Sequence, residues 1–180
     1  MPSLREDLDR ILTSPYLDGI DDRTLEEIRA MRTECQQAEV GLSYLRRLVQ
    51  GRLDIVHAYL DHYGSDGSLD LSTLVEDLPG ILSAGPGRPP GPEHLPMLWA
   101  PDTEASDLTT DLDAVLGVDE IGDLAEMEPA ELRELAGRLE ALENRVSLDR
   151  RALHLRIDTL QAELVARHKS GRASVDGLLT

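Results

Sequence analysis

Five residues at fixed spacing, Glu39, Ser43, Arg46, Gln50 and Asp54, recur 104 positions later as Glu143, Ser147, Arg150, His154 and Asp158. At about 100° per residue of an α-helix, the offsets place all five side chains of each copy within an arc of about 80°, stacked over four turns. The result is one polar stripe per helix, holding two carboxylates, a guanidinium, a hydroxyl and an amide or imidazole. A single mixed-charge stripe reads as a solvated helix face, but a second copy at identical offsets argues against that. Arg47/Arg151, Arg52/Arg156, Glu27/Glu131 and Arg29/Arg133 match across the same shift. Arg47 and Arg151 are left outside the site, because arginines are common on exposed helix surfaces.

The chemistry of this set points to a guanine nucleotide. Arginine's planar fork matches the O6/N7 edge of guanine and also grips phosphate. A carboxylate accepts from the N1 and N2 hydrogens of the same base, an arrangement adenine lacks. Ser, Gln and His add donors for phosphate and ribose. In an antiparallel helix pair, two copies written in the same sequence direction are related by a two-fold axis. The ligand is therefore expected to share that symmetry, as a cyclic dinucleotide of two guanosines does.

Two long helices must carry the stripes. Apolar or small residues at Ile28, Met31, Cys35, Ala38, Leu42, Leu45, Val49, Val56 and Tyr59 keep three/four spacing, interrupted at Arg52. Leu132, Leu135, Leu139, Leu142, Val146, Leu153 and Leu160 do the same, interrupted at Asp149 and Arg156. Neither helix buries its apolar stripe alone, so the pair is expected to form an antiparallel coiled-coil hairpin in an all-α fold. The expected helices span residues 22–63, with Asp22 as cap and Gly64 as stop, and residues 128–171, with Pro129 in the first turn and Gly171 as stop. Residues 1–20 hold a short amphipathic helix (Leu4, Leu8, Ile11, Leu12) opened by a Ser3/Glu6 capping box. The glycines Gly41 and Gly51 interrupt the first long helix, either to let a partner approach or as residues the helix simply tolerates.

Composition limits the remaining options. With 18 Lys+Arg against 35 Asp+Glu, the net charge of −17 argues against non-specific nucleic-acid binding. Seventeen acidic residues fall between Asp61 and Glu131 against one basic residue, Arg88. Residues 64–127 also hold seven of the ten prolines, so this stretch reads as an acidic, partly disordered connector with one helical patch around Leu71 to Leu82. Its Trp99 is a candidate for docking on the hairpin or on a partner. A single cysteine, Cys35, forms no internal disulfide, and Asp61-His62, His57 and His168 form no metal constellation and read as exposed. No phosphate-cradling glycine loop and no nucleophile with its base are present, so no enzymatic activity is expected. No apolar run reaches the ~18 residues of a membrane span, and the first residues are unlike a signal peptide, so a cytoplasmic protein is expected.

The segment Glu39-Val-Gly-Leu-Ser43-Tyr-Leu-Arg46-Arg-Leu-Val-Gln50-Gly-Arg-Leu-Asp54 resembles the signature of the RsiG-type anti-sigma factors of actinobacteria, which carry Glu-x3-Ser-x2-Arg-x3-Gln-x3-Asp on each helix of a hairpin. The likeness covers roughly Leu25 to Tyr63 and Pro129 to Gly171, and the tail 172–180 looks similar as well. It implies that a pair of cyclic di-GMP molecules binds to Glu39, Ser43, Arg46, Gln50, Asp54, Glu143, Ser147, Arg150, His154 and Asp158. It further implies that the loaded protein silences an RNA polymerase sigma factor of the flagellar, sporulation-controlling type, with no metal, membrane or direct nucleic-acid partner. His154 stands where the pattern has Gln; it keeps donor and acceptor capacity and is expected to make affinity pH-dependent. Two other readings stay open: a coiled-coil adaptor without nucleotide, and a cyclic di-GMP receptor with another effector.

Overall fold

The computed structural model describes residues 4–63, 69–83 and 105–170. All its regular elements are helical: α1 (Leu4–Leu12), α2 (Leu25–Asp61), α3 (Leu71–Ser83), α4 (Ala105–Asp113) and α5 (Pro129–Lys169), with short 3₁₀ stretches between them. The two long helices have 37 and 41 residues, or about 55–60 Å each at the usual ~1.5 Å rise. They pack against each other along the apolar stripes. Ile28, Cys35, Val49 and Val56 of α2, and Leu132, Leu139, Leu153 and Leu160 of α5, lose all accessible surface, the burial that two long amphipathic helices require for stability. The architecture is an all-α hairpin. Among the described residues, no helix is long and apolar enough to cross a membrane.

The chain divides into two compact units. The first comprises Met1–Ser43 and Leu148–Thr180, the second Tyr44–Ser147. Each holds the first half of one long helix and the second half of the other, accompanied by α1 in the first unit and by α3 and α4 in the second. In the first unit, α1 buries Leu8 and Ile11, and Tyr16 donates to the Met31 carbonyl at 3.2 Å and to the Glu34 carboxylate at 2.6 Å. In the second, α4 and the segment after it bury Leu112, Leu116 and Leu124.

This second set corrects the expectation that residues 64–127 are helical only around Leu71 to Leu82. Residues 105–113 form α4, and Asp119–Glu126 form a 3₁₀ helix. Leu112, Leu116 and Leu124 stand 104 positions after Leu8, Leu12 and Ile20, so the repeat begins well before the polar stripe. Aspartates on the outer surface hide the apolar spacing in composition while leaving the inner face able to bury. The α3 helix lies on the patch read as helical; its first turn is capped by Asp70, whose carboxylate accepts from the Ser72 and Thr73 amides at 3.1 and 3.2 Å. Residues 84–104, with Trp99, and the Ser3, Gly64 and Gly171 cap positions lie outside the described residues.

A second correction concerns the start of α2. Asp22 ends a 3₁₀ turn (Ile20–Asp22), and Thr24 is the cap. Its hydroxyl accepts from the Glu27 amide at 3.2 Å, while the Glu27 carboxylate accepts from the Thr24 amide at 2.6 Å, a reciprocal capping box. At the start of α5, the Glu131 carboxylate accepts from the Glu128 amide at 2.9 Å. Thr24/Glu128 and Glu27/Glu131 are again 104 apart.

Two of the three interruptions of the apolar seam, the arginines, have a structural role. Arg52, only 8% exposed, donates to the Leu116 carbonyl and, at 2.7 Å, to the Asp113 carboxylate. Arg156 donates to the carbonyls of Leu12 and Thr13 at 2.7 and 3.3 Å. Each arginine thus satisfies carbonyls left open past the end of a short helix in its own unit, which fixes that helix against the hairpin. Farther along, Tyr63 donates to the Met127 carbonyl at 2.6 Å. Arg167 donates to the carbonyls of Ile20 (2.7 Å), Asp21 (3.1 Å) and Arg23. Two of these contacts correspond under the same shift: Arg52–Leu116 with Arg156–Leu12, and Tyr63–Met127 with Arg167–Arg23.

Candidate functional site

All ten stripe residues lie on helix faces that are at least partly accessible beside the buried seam. The long helices position them in two clusters, one in each unit. In the first, Glu39 and Ser43 come from α2, and Arg150, His154 and Asp158 from α5. In the second, Arg46, Gln50 and Asp54 come from α2, and Glu143 and Ser147 from α5.

The carboxylate is the hub of each cluster. Glu39 accepts from the Ser43 hydroxyl at 2.7 Å and from two nitrogens of Arg150 at 2.7 and 3.1 Å, with the His154 ring nitrogen 3.5 Å away. Glu143 accepts from the Ser147 hydroxyl at 3.0 Å, from Arg46 Nε at 2.7 Å and from the Gln50 amide at 3.3 Å. Arg46 also donates to the Ser147 hydroxyl at 3.0 Å. Burial works against the charge on Glu39, but the hydrogen bonds from Ser43 and Arg150 outweigh it and hold the carboxyl below its ordinary range. The same balance holds for Glu143, where bonds from Arg46 and Ser147 overcome burial. Both hubs are therefore anionic at neutral pH, each beside a guanidinium and a hydroxyl.

The last residue of each motif copy stands apart. Asp54 is half-buried, and burial pushes its carboxyl up, with His57 nearby opposing the shift. Asp158 is exposed. Neither makes a hydrogen bond to its cluster, so four residues of each set of five are brought into direct contact and the fifth borders them. Each arginine reaches the facing helix and closes on a glutamate there. Opposite charges pair at helix positions that face each other across a hairpin, and a sequence laid out on single helices does not show it.

Sequence reasoning set aside His57 and His62 as exposed, and the structure gives both partners. His57 lies 3.7 Å from Glu140. His62 is half-buried, with one ring nitrogen 2.7 Å from the Ala58 carbonyl and the other 3.2 Å from Asp77 of α3. Among the described residues, no group of histidine, cysteine or acidic side chains could hold a metal ion. A groove of about 390 Å³ in the second unit is lined by Asp111, Ala114, Val115, Arg138, Ala141, Leu142 and Arg145. None of these residues belongs to the repeated motif.

Chemically, each cluster offers a carboxylate acceptor, a planar guanidinium, a hydroxyl and a switchable or amide donor within a few ångströms of one another. That donor and acceptor set fits the edge of a guanine. No curated protein matches the chain significantly. A family described as RsiG-like matches residues 14–82 and 119–180, both long helices included, and the chain belongs to that family. It is a family of regulatory anti-sigma factors associated with cyclic di-GMP, and not an enzyme family.

Proposed function

As a member of the RsiG-like family, the chain is, we propose, an anti-sigma factor that binds cyclic di-GMP on its two repeated clusters and, when loaded, sequesters a sigma factor of the flagellar, sporulation-controlling type in the cytoplasm. The observation that carries this reading is the duplicated cluster. The Arg46–Glu143 and Arg150–Glu39 pairs, both 2.7 Å, use the same motif positions in the two units. Packing alone gives no reason for two helices to repeat a half-buried Glu, Ser and Arg at the same offsets.

The ligand contacts are Glu39, Ser43, Arg150, His154 and Asp158 in one cluster and Glu143, Ser147, Arg46, Gln50 and Asp54 in the other. Glu39 and Glu143 accept from the N1 and N2 hydrogens of guanine, while Arg46 and Arg150 turn from their glutamates towards O6, N7 or phosphate oxygens. The Ser43 and Ser147 hydroxyls, Gln50 and His154 take ribose and phosphate. Guanine satisfies the carboxylate and the guanidinium together, which adenine cannot do. Two cyclic di-GMP molecules per chain match two clusters. Their exposed bases and phosphates complete the surface that the sigma factor recognises, so each of the two partners tightens binding of the other.

Co-purification of the chain with a flagellar-type sigma factor, with and without cyclic di-GMP, tests the reading. Capture that requires the nucleotide and fails for an Arg46→Ala, Arg150→Ala variant supports it. Capture of the sigma factor that is indifferent to the nucleotide and to both substitutions makes the chain a coiled-coil adaptor instead.

A further inference from the structure

Three pairs of arginines recur within the span of the motif, and their environments differ. Arg46 and Arg150 are closed on Glu143 and Glu39. Arg52 and Arg156 are turned onto carbonyls past the ends of α4 and α1. Arg47 and Arg151 are exposed, and among the described residues neither has a hydrogen bond or an ion pair.

Position sets these two apart from ordinary surface arginines. At about 100° per residue, Arg47 lies about 60° around α2 from Gln50 and about 20° from Asp54. It borders the second unit's cluster on the side away from the apolar seam. Arg151 stands in the same relation to His154 and Asp158 on α5, bordering the first unit's cluster. Residues three apart on a helix share a surface, and those seven apart lie about 20° from each other, so each arginine stands on the face that borders the outer edge of its own cluster.

Charge supplies the reason. The ten motif residues hold four carboxylates and two guanidiniums, a net charge of −2 with His154 neutral. A cyclic dinucleotide brings two phosphodiester charges of the same sign. Arg46 and Arg150 are already neutralised by their glutamates, and the chain as a whole carries −17, so its general field repels the ligand. A further cation per cluster is needed, and Arg47 and Arg151 are the cations at the rim. We propose that Arg47 and Arg151 are ligand-binding residues outside the five-residue motif, each holding a phosphodiester of the nucleotide bound at its cluster. Guanidinium suits this role because its fork meets phosphate oxygens in pairs.

The inference rests on the nucleotide-binding reading above, and one experiment separates the two. The full chain is titrated with cyclic di-GMP at low and high salt, alone, as wild type, as an Arg47→Gln, Arg151→Gln variant and as an Arg47→Lys, Arg151→Lys variant. The glutamine pair is expected to bind at least about tenfold more weakly at low salt and to lose most of the salt dependence seen for the wild type. The lysine pair keeps the charge and is expected to stay within about threefold of wild type with its salt dependence intact. Wild-type affinity and salt dependence in the glutamine pair, with the wild type binding normally, would overturn this inference and leave the nucleotide site standing. Absence of saturable binding by the wild type, both alone and with a flagellar-type sigma factor present, would overturn both. Both positions are exposed, so unchanged circular dichroism is expected in every variant.

Discussion

Replacing Arg46 with alanine tests the difference between a ligand site and a structural ion pair. In the free chain, the guanidinium of Arg46 lies 2.7 Å from Glu143 and its side chain is 36% exposed, against 19% for its partner. Water therefore screens the pair, and its loss is expected to cost about 0.5–1 kcal/mol of stability, which lowers Tm by about 1–4 °C for a chain of this size. In the loaded state the same guanidinium makes charge-assisted hydrogen bonds to base or phosphate, worth about 1.5–3 kcal/mol, and their loss weakens affinity by roughly 10- to 150-fold. Arg150→Ala, at the matching position with two bonds to Glu39, is expected to behave alike, and the double variant to lose more than either. Calorimetric titration for affinity and thermal melting for stability read the two effects separately. A variant that melts several degrees lower but binds cyclic di-GMP as the wild type does would refute the assignment and leave Arg46 with a purely structural role.

Other outcomes follow from the same contacts. Arg52→Met leaves the buried Leu116 carbonyl unmet and removes a charged bond to Asp113. Because Asp113 is half-exposed and rehydrates, the loss is about 2–3 kcal/mol, read as a Tm drop of about 4–12 °C. Glu39 and Glu143 have carboxyls held below their ordinary value of 4.5, so the stability they add is present above that value and is lost as pH falls through the depressed one. Melting curves from pH 7 to pH 3 are expected to show this loss, and Glu39→Gln, Glu143→Gln to lack that share of it. Asp54 is shifted upwards by burial, the opposite sign, so its charge destabilises the fold at neutral pH. Asp54→Asn is expected to raise Tm while weakening nucleotide binding, the exchange typical of functional residues; a lowered Tm would contradict it. His154→Gln is expected to keep affinity within a few-fold, because Gln50 already stands 3.3 Å from Glu143 much as His154 stands 3.5 Å from Glu39.

Most of the hairpin was legible from spacing alone. The residues assigned to the seam, from Ile28 to Val56 and from Leu132 to Leu160, are buried, because a long three/four pattern has few other ways to leave water. The eight motif residues that meet in the two clusters were legible for a different reason, since a polar pattern repeated at one shift is rare by chance. Two things escaped. Arg52 and Arg156 broke the apolar pattern and read as interruptions, yet their shared shift was the available sign that both serve the same structural purpose. The α4 helix was obscured by its acidic surroundings, although Leu112, Leu116 and Leu124 repeat Leu8, Leu12 and Ile20. Extending the 104-residue comparison to the short helices would have found it. The Arg–Glu closures within each cluster depend on which side chains face each other across two helices, and single-helix geometry carries no such information.

The central claim, that the repeated clusters recognise guanine in a cyclic dinucleotide, is tested most directly by calorimetric titration of the full chain with cyclic di-GMP beside cyclic di-AMP and GTP. The account predicts saturable binding of cyclic di-GMP at about two molecules per chain, and no comparable heat from the other two. Equal binding of cyclic di-AMP, or no saturable binding of cyclic di-GMP either alone or with a flagellar-type sigma factor present, would contradict it.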